Sequence, residues 1–341
     1  MTIVMLGIDL GKNVCSLAGL DEHGHVVLTK RLKRNGVVPF VTGLPACAVA
    51  MEACCGAHYV GRRLADLRYE VRLIAPQYIR PFVKSQKNDD RDAEAIAEAA
   101  SRPTMRFVSV KTQAQLDLQT LHRVRERLVE RRTALINQIR GILLERGIMV
   151  PKGKYHLVRN LPDVLCDEAN GLAPRIRRLL EELREEWRVL DERIADLDAE
   201  FVVLARQEDA TKRLIEIPGI GALTATALVA AIGKGEAFES GRDLAAWLGL
   251  VPRQATTGGK PRLLGISKRG NAYVRRLFIH GARAALRYHA ERRTRLGQWL
   301  RGVLERRHRN VAVVAMANKL VRIAWAVVTG GVHYTEFALA K

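Results

Sequence analysis

From Ile176 to Leu204, nine apolar residues (Ile176, Leu180, Leu183, Trp187, Leu190, Ile194, Leu197, Phe201 and Leu204) step alternately by four and three without a miss. Only an α-helix returns to the same face at that spacing, and a seam kept over so many turns has to be buried against another helix. This is a coiled-coil pattern within a helical section over residues 113–205. A second stripe, Leu121, Val124, Leu128, Leu135, Ile139 and Ile142, stops where Gly147 and Pro151 end a helix. Two such helices suit an intramolecular hairpin as well as a dimer seam, because both bury one stripe, and spacing alone leaves both open.

The flanking sections have other periods. In residues 1–105, the runs 3–8, 14–20 and 25–31 have strand character, with turn residues Asp21 to Gly24 between the last two. The apolar run 46–51, an amphipathic stretch over 59–67, and the run 71–75 ended by Pro76 continue as α/β units. A mixed sheet with helices packed on it is expected. Residues 209–341 read as mainly α, with helical patterns at 222–232, 271–289, 294–307 and 311–328 and a Gly-rich basic loop at 256–269. A chain of 341 residues accommodates these two or three domains, each with its own core.

Charge narrows the partner. The chain carries 56 Lys and Arg against 36 Asp and Glu, and residues 251–341 alone hold 19 against three (Glu291, Glu305 and Glu336). With 48% hydrophobic residues this is a folded basic protein and not a disordered tail, so a polyanion is the expected partner. Nucleic acid is favoured over a membrane surface, since Lys319 and Arg322 break the longest apolar stretches and leave no span of ~20 residues. Five cysteines without framework spacing, and an N-terminus carrying Asp9 without a basic leader, are expected of a cytoplasmic protein with reduced thiols.

Four acids stand where they can converge: Asp9 and Glu52 end apolar strands, and Asp89 and Asp92 lie three apart at the start of a helix. Carboxylates crowded into one cleft repel unless divalent cations hold them, and paired Mg²⁺ ions are suited to phosphodiester chemistry. Singly, each acid also fits a structural role as turn residue, N-cap or first-turn acid. Gly7–Ile8–Asp9–Leu10–Gly11 also opens actin-like ATPases, but no Asp-x-Gly-x-Thr segment follows, and Gly258–Gly259–Lys260 lacks Walker spacing. Adjacent Cys54 and Cys55 with His58 cannot easily share one zinc ion.

In the basic half, Ile217–Pro218–Gly219–Ile220–Gly221 has the form of a helix-hairpin-helix turn, whose glycines (Gly219, Gly221) let backbone N–H groups approach phosphate. An ordinary interhelical loop is the alternative. Lys260, Arg262, Lys268 and Arg269 bracket a segment with the hydroxyls Thr256, Thr257 and Ser267, which suits either a phosphate site or a solvated loop.

Taken together these motifs resemble the DEDD insertion-sequence transposases, recombinases guided by a bridge RNA. The resemblance spans nearly the whole chain. It is carried by Gly7–Ile8–Asp9–Leu10–Gly11, Met51–Glu52–Ala53, Lys87–Asn88–Asp89–Asp90–Arg91–Asp92–Ala93, Ile217–Pro218–Gly219–Ile220–Gly221, Gly249–Leu250–Val251–Pro252–Arg253, Ile266–Ser267–Lys268–Arg269–Gly270–Asn271 and Arg275–Arg276. It implies an RNase H-like N-terminal domain (1–105) similar to Holliday-junction resolvases, a coiled-coil linker (106–208) for dimerisation, and a C-terminal transposase domain (209–341) that supplies a nucleophile. It also implies Asp9, Glu52, Asp89 and Asp92 as catalytic ligands of Mg²⁺ or Mn²⁺. Double-stranded DNA, a non-coding guide RNA, and a homodimer or homotetramer are the implied partners. Arg253, Lys260, Arg262, Lys268 and Arg269 are implied to contact nucleic acid.

Where the family has a nucleophilic serine that forms a covalent link to DNA in a site composed across subunits, this chain reads Ala255–Thr256–Thr257–Gly258–Gly259–Lys260. Either Thr256 or Thr257 takes the catalytic position, with Ser267 as a further candidate, and the threonine β-methyl crowds an in-line attack. A metal-dependent junction nuclease using water and a non-catalytic nucleic-acid-binding protein remain alternatives.

Overall fold

Three strands from the N-terminus form an antiparallel meander: β1 (Met5–Asp9), β2 (Val14–Leu20) and β3 (Val26–Lys33). The chain, a computed structural model, is described over residues 2–84 and 88–335, so Lys87 of the acidic motif, Glu336 and Lys341 lie outside the described residues. It separates into two compact units, residues 1–116 and 117–341.

In the first unit, α1 (Val37–Thr42) leads to β4 (Ala48–Glu52), and α2 (Ala57–Asp66) leads to β5 (Val71–Ile74). β4 lies parallel to β1, and β5 parallel to β4. Then come α3 (Pro76–Ile79), α4 (Asp89–Ala100) and a short antiparallel edge strand, β6 (Phe107–Val108). The sheet order is β3-β2-β1-β4-β5-β6, a mixed sheet consistent with an RNase H-like domain.

Strand alternation divides β1 between two cores. Leu6 and Ile8 pack on one face with residues of α1 and α2, while Met5 packs on the other with the alanine face of α4. Gly7 shares the second face. A Cβ there would lie 2.2 Å from the Ala93 carbonyl oxygen, so α4 rests directly on the backbone of β1. Asn88 starts α4 by accepting a hydrogen bond from the Asp90 amide at 3.1 Å.

The second unit opens on a helical arm of α5 (Gln113–Leu144), whose first residues belong to the preceding unit, α6 (Lys154–Cys166) and α7 (Pro174–Ala205). Leu128, Leu135 and Ile139 of α5, Leu157 and Leu161 of α6, and Leu180, Trp187, Leu190 and Ile194 of α7 form one core. Ion pairs Arg132–Asp191, at 2.8 Å, and Arg125–Asp198 run α5 against α7 in opposite directions. Leu180, Trp187, Leu190, Ile194 and Phe201 of the α7 seam are thus buried within the chain, and the other four seam residues are half-buried.

The remaining helices are α8 (Asp209–Ile215), α9 (Ala222–Ile232), α10 (Gly241–Trp247), α11 (Ala272–Glu291), α12 (Arg295–Arg306) and α13 (Arg309–Gly330). Asn271 and Thr294 cap α11 and α12 through the amides of Val274 and Gly297. Two sequence expectations need correction. Residues 256–269 are not a loop throughout, because β7 (Pro252–Gln254) and β8 (Leu263–Ile266) pair as an antiparallel hairpin. The expected lack of a long apolar span is the second: α13 has 22 residues, and an 18-residue window within it has a mean hydropathy of 1.8, enough by length and composition alone to cross a membrane. Its Ala312, Val313, Met316, Ala317, Leu320 and Val321 instead fill the core of the helical bundle, where an apolar helix is equally required.

Candidate functional site

Asp9 ends β1, and the close seating of α4 over Gly7 carries the first turn of that helix beside it. Asp9, Asp89 and Asp92 each present a carboxylate oxygen, and these oxygens lie within 4.8 Å of one another. Asp89 is exposed and the other two are half-buried. At an effective dielectric near 20, two unit charges that far apart repel by about 3 kcal/mol, so the cluster favours a cation. All donors are hard carboxylate oxygens, the ligand type that suits Mg²⁺ or Mn²⁺. Among the described residues this is the one group of three such side chains able to hold a metal ion.

Glu52 ends β4, the parallel neighbour of β1, but is not a member of the 4.8 Å cluster. Burial pushes its carboxyl up from the usual range, the charge of Asp92 pushes it further, and Arg80 opposes both. Glu52 therefore feels the cluster electrostatically.

Several residues that shape this end of the sheet escaped the sequence reading. The Arg34 guanidinium donates to the carbonyls of Gly11 at 2.7 Å and Cys55 at 3.3 Å, tying the loops that follow β1 and β4. Gly56, at φ +89°, leaves room for it, since a Cβ there would lie 1.9 Å from Arg34 Nη2. Asp90 turns away from its neighbours toward Arg31 and Ser16. Helical phase was the available signal, because Asp90 stands ~100° around the helix from Asp89 and cannot share its face. His58 accepts from the Lys111 amide at 3.1 Å, an explanation of that residue that needs no zinc. A cleft of about 1220 Å³, lined by Val4, Leu20, Ala48 and Arg102 among others, opens at the opposite end of the strands and includes none of the four acids.

In the second unit, the threonines lie near the tip of the β7–β8 hairpin. Gly258 and Gly259 have φ of +56° and +74°, and the Lys260 amide donates to the Thr257 carbonyl at 3.1 Å, a turn with both central residues left-handed. Residues 252–265 are exposed throughout. The pairing of Gln254 with Leu263 and of Thr257 with Lys260 puts Thr257, Lys260 and Arg262 on one face of the ribbon and Thr256 on the other. Ser267 is at the base, half-buried, where its amide donates to the Val251 carbonyl at 2.8 Å. The two motifs that frame the hairpin lock there: a Cβ on Gly249 would lie 2.5 Å from Arg269 backbone, and the Arg275 guanidinium donates to the carbonyls of Leu248 and Arg269. Among the described residues, Arg253, Lys260, Arg262, Lys268 and Arg269 form no ion pair.

Of the two turn glycines, Gly221 is exposed at the start of α9, whereas Gly219, at φ +100°, packs against α11. A Cβ on Gly281 of α11 would come within 1.9 Å of the Gly219 carbonyl oxygen.

A mixed sheet with an acidic cluster at its strand ends, joined to a basic helical unit, defines an α/β enzyme class suited to phosphodiester chemistry on nucleic acid. Family comparison gives the particular member. Residues 211–296 match the transposase family described as IS116/IS110/IS902, and residues 6–147 match the DEDD transposases of the IS110 type. The chain is 47% identical over 330 residues to a "Probable family 20 transposase" of Pseudomonas aeruginosa, covering 96% of this chain and 98% of that protein. It is 46% identical to the transposase for insertion sequence element IS1111A of Coxiella burnetii (96% and 90% covered) and 43% identical to that for IS1328 of Yersinia enterocolitica (98% and 99%). The chain belongs to the IS116/IS110/IS902 family of insertion-sequence transposases, enzymes of DNA cleavage and strand transfer.

Proposed function

We propose that this transposase cuts and joins double-stranded DNA at its element ends and target through a covalent threonine–DNA intermediate, with Asp9, Asp89 and Asp92, joined by Glu52, holding Mg²⁺ or Mn²⁺. The observation that carries the reading is the convergence of three carboxylate oxygens within 4.8 Å. When bound, the cation would lower the cost of charge developing on the phosphate oxygens. The hydroxyl of Thr256 or Thr257 attacks phosphorus. One P–O ester bond forms to the threonine Oγ1, one breaks, and the departing strand leaves as a hydroxyl carrying the proton. Attack by another strand's hydroxyl reverses the step, so the number of ester bonds is conserved. Lys260 and Arg262 offset the phosphate charge, and Arg253, Lys268 and Arg269 hold the backbone beside it.

In this reading residues 1–105 are the RNase H-like catalytic domain, 106–208 the coiled-coil dimerisation region and 209–341 the transposase domain. The turn through Gly219 and Gly221 acts as a helix-hairpin-helix element on DNA. The active form is a homodimer or homotetramer guided by a non-coding RNA, in the cytoplasm, where the five free cysteines stay reduced.

The test is strand cleavage and adduct formation on suicide DNA substrates. Asp9→Asn, or EDTA, should abolish cleavage and leave DNA binding, which depends on the basic residues. Threonine-to-alanine changes made singly at 256 and 257 should identify one position whose loss removes a denaturation-resistant adduct. An adduct mapped to Ser267 would move the nucleophile, and cleavage without any adduct would favour the nuclease that uses water.

A further inference from the structure

The acidic run contains a third aspartate, Asp90, that the metal site does not use. Its carboxylate receives the Arg31 guanidinium in two parallel hydrogen bonds, Nε to Oδ1 at 2.8 Å and Nη2 to Oδ2 at 2.7 Å. The Ser16 hydroxyl donates to Oδ1 at 2.9 Å. Bidentate guanidinium–carboxylate pairs fix orientation as well as distance. Ser16 is buried, whereas Arg31 comes from the exposed edge strand β3.

The strand register gives these contacts their meaning. Asp9 lies opposite Ser16 across β1 and β2, and Ser16 lies opposite Arg31 across β2 and β3. Direct cross-strand partners share a face, so Asp9, Ser16 and Arg31 form one row over three strands, with the first turn of α4 above it. One end of the row meets Asp89 and Asp92, and the rest grips Asp90. Mutual repulsion among Asp9, Asp89 and Asp92 pushes α4 off β1, and the grip on Asp90 resists that push at the same helical turn.

We propose that Asp90, Arg31 and Ser16 are positioning residues that hold the first turn of α4 in register with Asp9, so that the metal-binding carboxylates are assembled before a cation arrives. The inference rests on the metal reading above and assigns these residues no contact with the cation. Loss of groups that orient metal ligands typically weakens metal affinity by ~10- to 100-fold.

The experiment is Mn²⁺ binding to the full chain, followed by electron paramagnetic resonance without DNA, with far-UV circular dichroism to confirm folding. Single charge changes would alter cation affinity by electrostatics alone, so the deciding variant is the charge-neutral pair Arg31→Gln with Asp90→Asn. Its Mn²⁺ Kd should rise about tenfold or more. Arg31→Lys, which keeps the charge and loses the fork, should fall between this pair and wild type. Cleavage by both should recover at saturating Mn²⁺, whereas Asp9→Asn should not recover. Wild-type Mn²⁺ affinity in the neutral pair would overturn the positioning role while leaving the metal site intact. Wild-type affinity in Asp9→Asn would remove the metal site and the positioning role with it. Ser16→Ala provides a second arm with no change of charge: a measurable weakening supports the row, and tighter binding counts against it.

Discussion

Replacing Gly7 with alanine adds one methyl group where the first unit has no room for it. The new Cβ would sit 2.2 Å from the Ala93 carbonyl oxygen, 2.7 Å from the Ala97 amide nitrogen and 2.8 Å from the Ala97 Cβ. A carbon rests no nearer than about 3.3 Å to a carbonyl oxygen, so α4 and β1 must separate by roughly 1 Å. Two of the three contacts are backbone, which no rotamer change relieves. Overpacking of this kind costs about 1–3 kcal/mol, and here the upper end applies, lowering the melting temperature of the first unit by roughly 10 °C. The larger effect falls on chemistry. Asp89 and Asp92 ride on the displaced helix, and a misplacement of about 1 Å in a catalytic constellation costs on the order of 100-fold in rate. Strand cleavage at 25 °C, where the variant remains folded, and a thermal melt measure the two effects separately. Ala97→Gly removes only the side-chain contact and should not rescue the variant. Cleavage within twofold of wild type with an unshifted melt would refute the view that α4 is seated on the Gly7 backbone.

Three other outcomes follow from the second unit. DNA affinity should fall steeply with salt, and Lys260→Ala or Arg262→Ala should each reduce the slope of log K against log[salt] by about one; a flat response would refute phosphate-dominated binding. His122 is buried between Phe201 and hydrogen bonds to Tyr273 and Thr226, and burial lowers its pKa to about 4. Its neutral form is therefore favoured by folding, and the stability present above about pH 6.5 should be lost as pH falls toward 4, by an amount on the order of 3 kcal/mol. Thermal melts across that window should show a wild-type loss that His122→Asn lacks, and parallel pH curves for the two proteins would contradict the assignment. Changing whichever threonine carries the adduct to serine should retain or raise adduct yield, since the hydroxyl remains and the crowding methyl is removed; a fall in adduct yield, read on denaturing gels, would argue that the methyl is required.

What was legible in the sequence was whatever repeats or stands at an element boundary. The seam of α7 could be read because one buried face recurs at the helical period, but its partner could not, since Leu180 or Trp187 would look the same facing α5 or a second chain. Asp9, Asp89 and Asp92 could be read because strand ends and helix starts leave local marks. Glu52 ends its strand as expected and yet stands outside the tight cluster, a matter of side-chain reach that spacing does not encode. The β7–β8 hairpin carried its signal in Gly258–Gly259. The strands around it lacked alternation, because residues 252–265 are exposed on both faces and nothing selects apolar residues on one of them. α13 was hidden by Lys319 and Arg322. Lys319 places its ammonium 4.3 Å over the Trp299 ring, an attraction that offsets part of the burial and the Arg322 repulsion that lower its pKa.

The electrostatics of the two units argue in the same direction. A folded protein in isolation usually lowers its energy by pairing charges, and many residues here do so, among them Arg125 with Asp198, Arg276 with Glu126 and Arg31 with Asp90. The basic hairpin is an exception. Five cations around an exposed ribbon have no carboxylate partner among the described residues, while three carboxylates of the first unit place oxygens within 4.8 Å of one another. Like charges this close repel, and a ligand of opposite sign relieves each arrangement: a divalent cation is the ligand proposed for the acids, and a phosphate backbone the one proposed for the hairpin. The crowding of acids at the strand ends supports the proposed metal-dependent chemistry, for which a protein that only bound DNA would have no use.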